Sequence, residues 1–373
     1  MNQQIFKRAG EYLDVLGFYD DVFVGHSNCR QIREGSGSGG IVTQVLSSLL
    51  REGYLKKALV AGMSSTEPWK GKSVLAESKK DVVECSQSKY TIIPQMDKLG
   101  AIVDSSDNVA IVGLPCHIHA FRKYQAKFPE RLENVKLLIG LFCHMALEID
   151  GTLKMVERAK VQRDQLSKIE YRGGEWPGKV RVFLKNGDII PLHSADFKDG
   201  AINYLKYLYY PPRCLTCIDF SAEFSDLSVG DPWIRKRDGK YLYQGGDSLV
   251  MTRTKQGKDI IDMVKKMGDI TAEPIDENLL KPRFQGMIKY KKIGAQIRVE
   301  KLKKRGLPHP IYHYSLPKPD YLNVLREKTH AASRFLGKSE LGRNFGSLIA
   351  FSWMGDRLTV IRRLRKEFSA RLK

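Results

Sequence analysis

Two short apolar runs, each ending beside a cysteine, constrain the fold of this 373-residue chain more than any other feature. Residues 109–115 precede Cys116, and residues 135–142 precede Cys143. Apolar runs of this length, bounded by Gly or Pro, predict buried strands. Because functional groups of an open α/β sheet collect at the carboxyl ends of its strands, we expect both cysteines to lie side by side at that edge.

A C-x-x-C pair, Cys214 and Cys217, follows much later and could complete a site of four thiolates. Four soft sulfur ligands select zinc or an iron–sulfur cluster. The alternative is four unrelated buried cysteines, since cysteine often serves as a small core hydrophobe. The Gly-x-Pro-Cys and Gly-x-x-Cys contexts of Cys116 and Cys143 place both sulfurs in loops, which favours a shared site.

The rest of the chain alternates predicted strands with predicted helices. Apolar residues repeat at helical spacing from 41 to 50, residues 58–62 and 102–112 are typical of strands, and residues 117–128 are typical of a helix. This alternation of strands and helices indicates a sheet with parallel strand pairs. Alternating residues around Asn186-Gly187 predict a β-hairpin, which adds antiparallel pairs. We therefore expect an α/β fold whose mixed parallel and antiparallel sheet is flanked by helices.

The positive charge is concentrated at the end of the chain. Residues 281–373 contain 23 Lys and Arg against 6 Asp and Glu, whereas the first 280 residues are nearly neutral at +3 of the total +20. This asymmetry predicts a main domain over residues 1–280 and a basic, mostly helical extension over residues 281–373. Near its end, apolar residues at helical spacing lie among arginines: Leu358, Ile361, Leu364, Phe368 and Leu372. Such a helix could lie on a membrane surface, bind a partner or pack on its own body.

No signal peptide and no membrane-spanning run are found in the sequence. The longest apolar stretch, residues 346–355, is about half as long as a spanning helix needs to be. We expect a cytoplasmic protein, where thiols favour metal or redox use over structural disulfides. The basic helix leaves a peripheral membrane location open.

A Gly/Ser loop at residues 35–40 precedes the first predicted helix. Such a loop exposes backbone N–H groups at the positive end of the helix dipole, which suits a phosphate, and Ser36 and Ser38 could add hydroxyl donors. The loop lacks the Gly-Lys-Ser/Thr ending of a P-loop and the strand spacing of a dinucleotide-binding fingerprint. A plain flexible turn is the alternative.

Several motifs occur together in one order along the chain. They are Ser38-Gly-Gly40, Ser88-Lys-Tyr90, Gly113-Leu-Pro-Cys-His117, Gly140-Leu-Phe-Cys-His144, Tyr171-Arg-Gly173, the run Cys214 to Trp233, and the run Gly246 to Thr254. In these motifs and their order the chain resembles the family of coenzyme F420 hydrogenase/dehydrogenase beta subunits. The resemblance covers about residues 20–270, and the run from Cys214 to Trp233 is its most specific part.

The resemblance implies an oxidoreductase that binds FAD and one 4Fe-4S cluster. It would pass electrons between coenzyme F420, or a similar reducible small molecule, and a partner electron-transfer protein. No side chain is assigned as catalytic, because the cofactors carry the redox chemistry. The implied cluster ligands are Cys116, Cys143, Cys214 and Cys217. The implied flavin contacts are Ser36, Gly37, Ser38, Gly39, Gly40, Ser88, Lys89 and Tyr90.

Two other interpretations remain open. One is a zinc-stabilised protein whose basic extension binds nucleic acid or a membrane surface through phosphate neutralisation. The extension has few aromatic residues placed for base stacking, which argues against nucleic acid. The other is a redox protein that the extension seats on an acidic membrane surface or an acidic partner.

Overall fold

The computed structural model describes residues 16–192, 205–312 and 318–364, apart from residues 356, 359, 362 and 363. Two sheets lie within this part of the chain. Their strands are β1 (Asp21–Ser27), β2 (Lys57–Met63), β3 (Gly71–Ala76), β4 (Val109–Gly113), β5 (Val135–Leu141), β6 (Leu166–Gly173), β7 (Lys179–Leu184), β8 (Ile189–Leu192), β9 (Leu227–Gly230), β10 (Ser248–Thr252) and β11 (Ile270–Pro274).

The main sheet has eight strands in the order β11-β1-β10-β9-β5-β4-β2-β3. Its centre is parallel, because β2, β4, β5 and β9 run in one direction. Both flanks are antiparallel, with β3 paired to β2 and β10 paired to β9 and β1. The predicted mixed sheet is therefore confirmed.

Adjacent parallel strands bring the first two cysteines to one edge. In the pairing of β4 with β5, Gly113 lies opposite Gly140. Cys116 and Cys143 each follow three residues later, so both leave the sheet at the same edge, as the sequence predicts. The predicted strand over 102–112 is wrong in its first half, because Leu99–Val103 is helical and a polar turn precedes β4.

Helices cover both faces of the main sheet. Ile41, Val45 and Leu49 pack with Ile260 and Val264 on one face. Ile118 and Phe121 pack on the other face. The helices before residue 280 are α1 (Arg30–Glu34), α2 (Ile41–Arg51), α3 (Lys79–Glu84), α4 (Leu99–Val103), α5 (Pro115–Lys127), α6 (Ile149–Arg158) and α7 (Lys255–Lys266).

The predicted hairpin around Asn186-Gly187 is confirmed, since β7 pairs with β8 through Phe183 opposite Ile189. It belongs to a separate three-stranded antiparallel sheet, β6-β7-β8. The inference that this hairpin makes the main sheet mixed is therefore wrong. Antiparallel pairs in the main sheet come instead from β1, β3, β10 and β11.

The chain after residue 280 is mostly helical, as predicted. Leu280 and Phe284 pack in the same buried cluster as Leu16 and Leu249, so the charge boundary near residue 280 falls inside continuous packing. The elements are α8 (Leu280–Met287), a π-helical turn (Ile288–Ile293), α9 (Gly294–Lys304), α10 (Tyr321–Leu336) and α11 (Glu340–Ala350).

The predicted basic helix at the end of the chain is only partly within the described residues. Leu358, Ile361 and Leu364 are exposed, whereas Phe368 and Leu372 lie outside the described residues. In the part of the chain that the structure describes, every helix is too short or too polar to cross a membrane.

Candidate functional site

A cavity of about 260 Å³ opens at the carboxyl ends of the parallel strands. We call it the central cavity. Its wall includes Gly113 after β4, Cys143 after β5 and Gly230 at the end of β9. The Gly/Ser loop forms the opposite wall. Within the described residues, one space thus joins the predicted flavin-contacting loop to a predicted cluster ligand.

The loop wall is shaped by its turn into α2. Gly40 has a left-handed φ of +78°, and a Cβ there would approach Ile32 and Ser36 at 3.1–3.2 Å. Glycine is the residue that adopts this conformation without strain. Helix α2 begins at the next residue, Ile41. The N-terminus of α2, with its N–H groups, therefore faces the central cavity.

The loop serines line the cavity, but their hydroxyls are already engaged. Ser36 Oγ donates to the Ile32 carbonyl at 2.6 Å, and Ser38 Oγ donates to the Asp247 carbonyl at 2.7 Å. The expectation that both hydroxyls would donate to a ligand therefore differs from the structure. The groups of this wall that can donate hydrogen bonds to a ligand are therefore backbone N–H groups.

Gly39 lies behind the cavity wall rather than on it. Its N–H donates to Ser248 Oγ at 3.1 Å, and its carbonyl accepts from the Ser27 N–H at 2.7 Å. A Cβ at this position would lie 2.4 Å from the Gly25 carbonyl oxygen. Gly39 is thus required for packing the loop against β1 and β10, which places its neighbours at the cavity.

Ser88, Lys89 and Tyr90 all line the central cavity. The Lys89 ammonium donates to the carbonyls of Cys85 and Ser86, both at 2.5 Å, and of Gln87 at 3.2 Å. Burial lowers the pKa of Lys89 to about 8. Its ammonium therefore closes the turn after α3, and its carbon stem forms the wall.

A buried ion pair that the sequence did not predict as a site lies beside Tyr90. The Arg172 guanidinium donates to both carboxylate oxygens of Asp231, at 2.7 and 3.1 Å. It also hydrogen-bonds the Tyr90 hydroxyl, whose pKa burial raises to about 12. The Lys206 ammonium lies 4.8 Å from the centre of the Tyr90 ring. Arg172, Asp231 and Lys206 all line the central cavity, and the charge of Arg172 is balanced there by Asp231.

Both members of this ion pair belong to motifs that carry the family resemblance, Tyr171-Arg172-Gly173 and the run ending Gly-Asp231-Pro-Trp. Sequence reasoning used those motifs for recognition and assigned no role to the residues. Lys206 belongs to no motif in the sequence, so no signal there could have identified it.

The four predicted ligand cysteines come together at the other end of the cavity. Cys116 is the second residue of α5, and Cys214 lies in the 3-10 turn Pro212–Thr216, just before Cys217. Burial raises the pKa of the Cys143 thiol to about 12, and Cys214, Cys217 and Cys116 add to that shift. Because thiols influence one another's pKa only at short range, these shifts mark one cluster of sulfurs.

The four thiols suit more than one kind of metal centre, because thiolate sulfur binds both zinc and iron–sulfur clusters. No three Cys, His, Asp or Glu side chains among the described residues are placed to hold one ion. Four cysteine thiols are the usual donor set of a four-iron cluster, so the residues present fit that group.

A segment of the basic extension covers the loop between Cys214 and Cys217. We call residues 288–312 the covering segment. Arg298 Nε donates to the Leu215 carbonyl at 2.5 Å, and the Tyr312 hydroxyl donates to the Thr216 carbonyl at 2.5 Å. The Tyr290 hydroxyl donates to Met145 Sδ at 3.1 Å, two residues after Cys143. Both cysteine loops are therefore held by residues that follow position 280.

Comparison with models of known families identifies the family of this chain. The N-terminal and C-terminal models of the coenzyme F420 hydrogenase/dehydrogenase beta subunit match residues 22–99 and 106–278. The chain belongs to the family of coenzyme F420 hydrogenase/dehydrogenase beta subunits. The predicted family is confirmed, and the chain spans less than two thirds of two of the curated relatives that it matches. Membership favours an F420-type oxidoreductase over the zinc-stabilised alternative.

Three similar proteins belong to Methanosarcina mazei, Methanothermobacter thermautotrophicus and Methanocaldococcus jannaschii. A component of the F420H2 dehydrogenase of Methanosarcina mazei is 31% identical over 242 residues, which is 64% of this chain and 62% of the relative. The beta subunit of the coenzyme F420 hydrogenase of Methanothermobacter thermautotrophicus is 27% identical over 305 residues, covering 79% of this chain and 99% of the relative. The coenzyme F420-dependent sulfite reductase of Methanocaldococcus jannaschii is 28% identical, but this chain spans only 39% of it.

A solved structure shares the fold. A chain of the F420-reducing nickel–iron hydrogenase complex from Methanosarcina barkeri matches with a TM-score of 0.62 and 25% sequence identity. The match covers 80% of this chain and 98% of that chain. The predicted fold class is confirmed by this likeness together with the mixed main sheet.

Proposed function

We propose that this chain is a flavin- and iron–sulfur-dependent oxidoreductase. It passes electrons between coenzyme F420, or a similar hydride carrier, and a partner electron-transfer protein. The observation that carries the proposal is the central cavity, which runs from the Gly/Ser loop to Cys143. A ligand bound there has one end at a helix N-terminus and its other end beside the cysteine cluster.

FAD is the group that we place in the central cavity. The N–H groups at the start of α2 suit its phosphates, and the side chains of Arg172 and Lys206 line the same cavity. Ser88 and the stems of Lys89 and Tyr90 line the same space. A bound FAD exchanges an electron pair with a hydride carrier and single electrons with a cluster, which lets it link the two. The chain itself binds and orients this cofactor.

The 4Fe-4S cluster is assigned to the four cysteines at the other end. Cys116, Cys143, Cys214 and Cys217 are thiols whose chemistry suits iron. Cys143 also lines the central cavity, so the cluster would lie next to the flavin. Cys116 is exposed, which leaves one side of the cluster open to a partner protein.

The experiment is an anaerobic reaction with reduced F420. The full chain should oxidise reduced F420, which restores the absorbance of the oxidised coenzyme, and should pass electrons on to a one-electron dye. Cys214→Ala should keep the first exchange and lose dye reduction. A protein that held both cofactors yet exchanged no electrons with F420 would overturn the assignment of the carrier.

We further propose that the extension makes a peripheral contact with an anionic membrane surface. On α11, Leu341, Phe345 and Leu348 form an exposed apolar stripe at helical spacing. Exposed apolar side chains on a strongly basic segment are typical of helices that lie on anionic lipid.

Vesicle sedimentation tests this contact. The full chain should bind vesicles that contain phosphatidylserine and should bind neutral phosphatidylcholine vesicles weakly. Leu341→Glu with Phe345→Glu should abolish binding, whereas Ile189→Glu, at an exposed apolar residue on β8, should not. Equal sedimentation of all three proteins would contradict the proposal.

A further inference from the structure

One lysine of the covering segment is buried against the cysteine cluster. Lys291 is 1% exposed, although it lies in a segment rich in solvent-facing lysines. It belongs to the π-helical turn Ile288–Ile293, a conformation that is rare and often found at functional sites. Lys289 of the same turn is exposed. The turn therefore directs one specific ammonium group into the protein.

The partners of Lys291 set it apart from its neighbour. Lys292 is equally buried, and its ammonium forms an ion pair with Glu223 at 3.1 Å. Among the described residues no carboxylate forms an ion pair with Lys291. Its ammonium instead hydrogen-bonds Cys217 and lies near Cys143 and Cys214. A buried ammonium is costly unless an anion compensates it, so anionic sulfur is the partner that this site provides.

The position of Lys291 is fixed from both sides. The adjacent residue, Tyr290, donates to Met145 beside the Cys143 loop. Seven residues later, Arg298 donates to the Leu215 carbonyl inside the C-x-x-C pair and to the Tyr290 carbonyl at 2.8 Å. The turn that carries Lys291 is thus attached to the same two loops that carry the cysteines.

We propose that Lys291 is a positioning residue of the iron–sulfur site that raises the midpoint potential of the cluster. This inference rests on the proposed function. Each reduction adds one electron to a body that four thiolates already make negative. A fixed positive charge and an N–H donor at a ligand sulfur stabilise the reduced form more than the oxidised form.

The experiment is a redox titration of the anaerobically purified full chain, monitored by electron paramagnetic resonance. Lys291→Met removes the charge but keeps an unbranched apolar stem, and it should lower the midpoint potential of the cluster. Lys291→Arg keeps a charged donor and should bring the potential back toward that of the wild type. Lys289→Met, the matched control on the same turn, removes a solvated charge and should leave the potential unchanged.

The outcomes separate this inference from the proposed function. A wild-type chain without iron and without a cluster signal would overturn the proposed function itself. A Lys291→Met protein with a full cluster at the wild-type potential would overturn only the role of Lys291. Loss of the cluster in both Lys291→Met and Lys291→Gln would assign the residue to structure and would also overturn its role in tuning.

Discussion

The two ends of the central cavity are built in different ways. The glycine end is made by the main sheet, where Gly39 packs between β1 and β10 through backbone contacts. The cysteine end combines the start of α5 with two loops, and the covering segment holds both loops through hydrogen bonds from Tyr290, Arg298 and Tyr312. A nearly neutral body thus supplies one end, whereas the basic extension completes the other. The change in charge near residue 280 therefore does not coincide with the end of a structural unit.

Deletion of residues 280–373 should have the largest effect and should fall first on the cysteine end. It removes Leu280 and Phe284 from a buried cluster, at about 2–5 kcal/mol for each large apolar side chain, and it uncovers the cysteine loops. Iron content after anaerobic purification should fall to background and soluble yield should drop. If the extension served only for docking, the deletion would leave the iron in place. That result would contradict the claim that the extension completes the cysteine end.

Single cysteine changes should remove the iron and leave much of the flavin. Cys214→Ala and Cys217→Ala each delete a proposed ligand at the cysteine end, far from the Gly/Ser loop. Cys29→Ala and Cys85→Ala are matched controls at thiols outside this set and should keep wild-type iron. The iron content and the flavin content of the four purified variants test this prediction. Full iron in Cys214→Ala would contradict the ligand assignment.

Gly39→Val should destabilise the Gly/Ser loop at the glycine end of the cavity. The added side chain meets the Gly25 carbonyl and the Ser248 N–H, which are backbone groups that cannot move aside. We expect a loss of about 1–3 kcal/mol in the free energy of unfolding and weaker flavin binding, with iron retained in the folded fraction. Gly100→Ala is the control, since no atom lies within 4 Å of a Cβ there. Thermal unfolding and flavin occupancy equal to wild type in Gly39→Val would contradict this account.

Arg298→Met should loosen the cysteine end without unfolding it. The variant loses donors to the Leu215 and Tyr290 carbonyls and to Glu327 Oε2, while Glu327 keeps its pairing with Arg334. The expected loss is about 1–3 kcal/mol. Iron should leave the variant faster during incubation with a chelator. Arg305→Met, at an exposed arginine after α9, should release iron at the wild-type rate. If Arg298→Met also released iron at that rate, the covering segment would not hold the cysteine end.

The smallest effect is expected at a surface ion pair of the glycine end. Asp269 accepts from Arg51 and Ser48, and these bonds lower the pKa of its carboxyl group. A lowered pKa in the folded state gives a contribution that is present above about pH 4 and is lost as the pH falls through the lowered value. Asp269→Asn should lose less than about 1 kcal/mol at pH 7, since Arg51 is exposed and Asp269 is only half-buried.

Urea unfolding of the Asp269→Asn variant at pH 7 and pH 3 checks the sign. The difference from wild type should shrink at the lower pH. Gly100→Ala, which changes no ionisable group, is the control and should differ from wild type by the same amount at both pH values. A difference that grew on acidification would reverse the sign and contradict the role of the carboxylate.

The sequence predicted those parts of the site that depend on local pattern. Apolar runs located β4 and β5, and their parallel pairing placed Cys116 beside Cys143. Contacts between distant segments could not be predicted. Arg172 meets Asp231 across 59 residues, and no periodicity identifies that partner. Lys291 is one of 23 basic residues after position 280, and only its burial in the folded chain distinguishes it.

The cofactor content of the intact chain tests the central claim most directly. Protein purified without oxygen should contain one FAD and four iron atoms per chain. Its absorption spectrum should show flavin bands over a broad shoulder that is lost from Cys217→Ala. A colourless protein, or one that contains stoichiometric zinc and no flavin, would contradict the claim that one cavity joins a flavin to an iron–sulfur cluster.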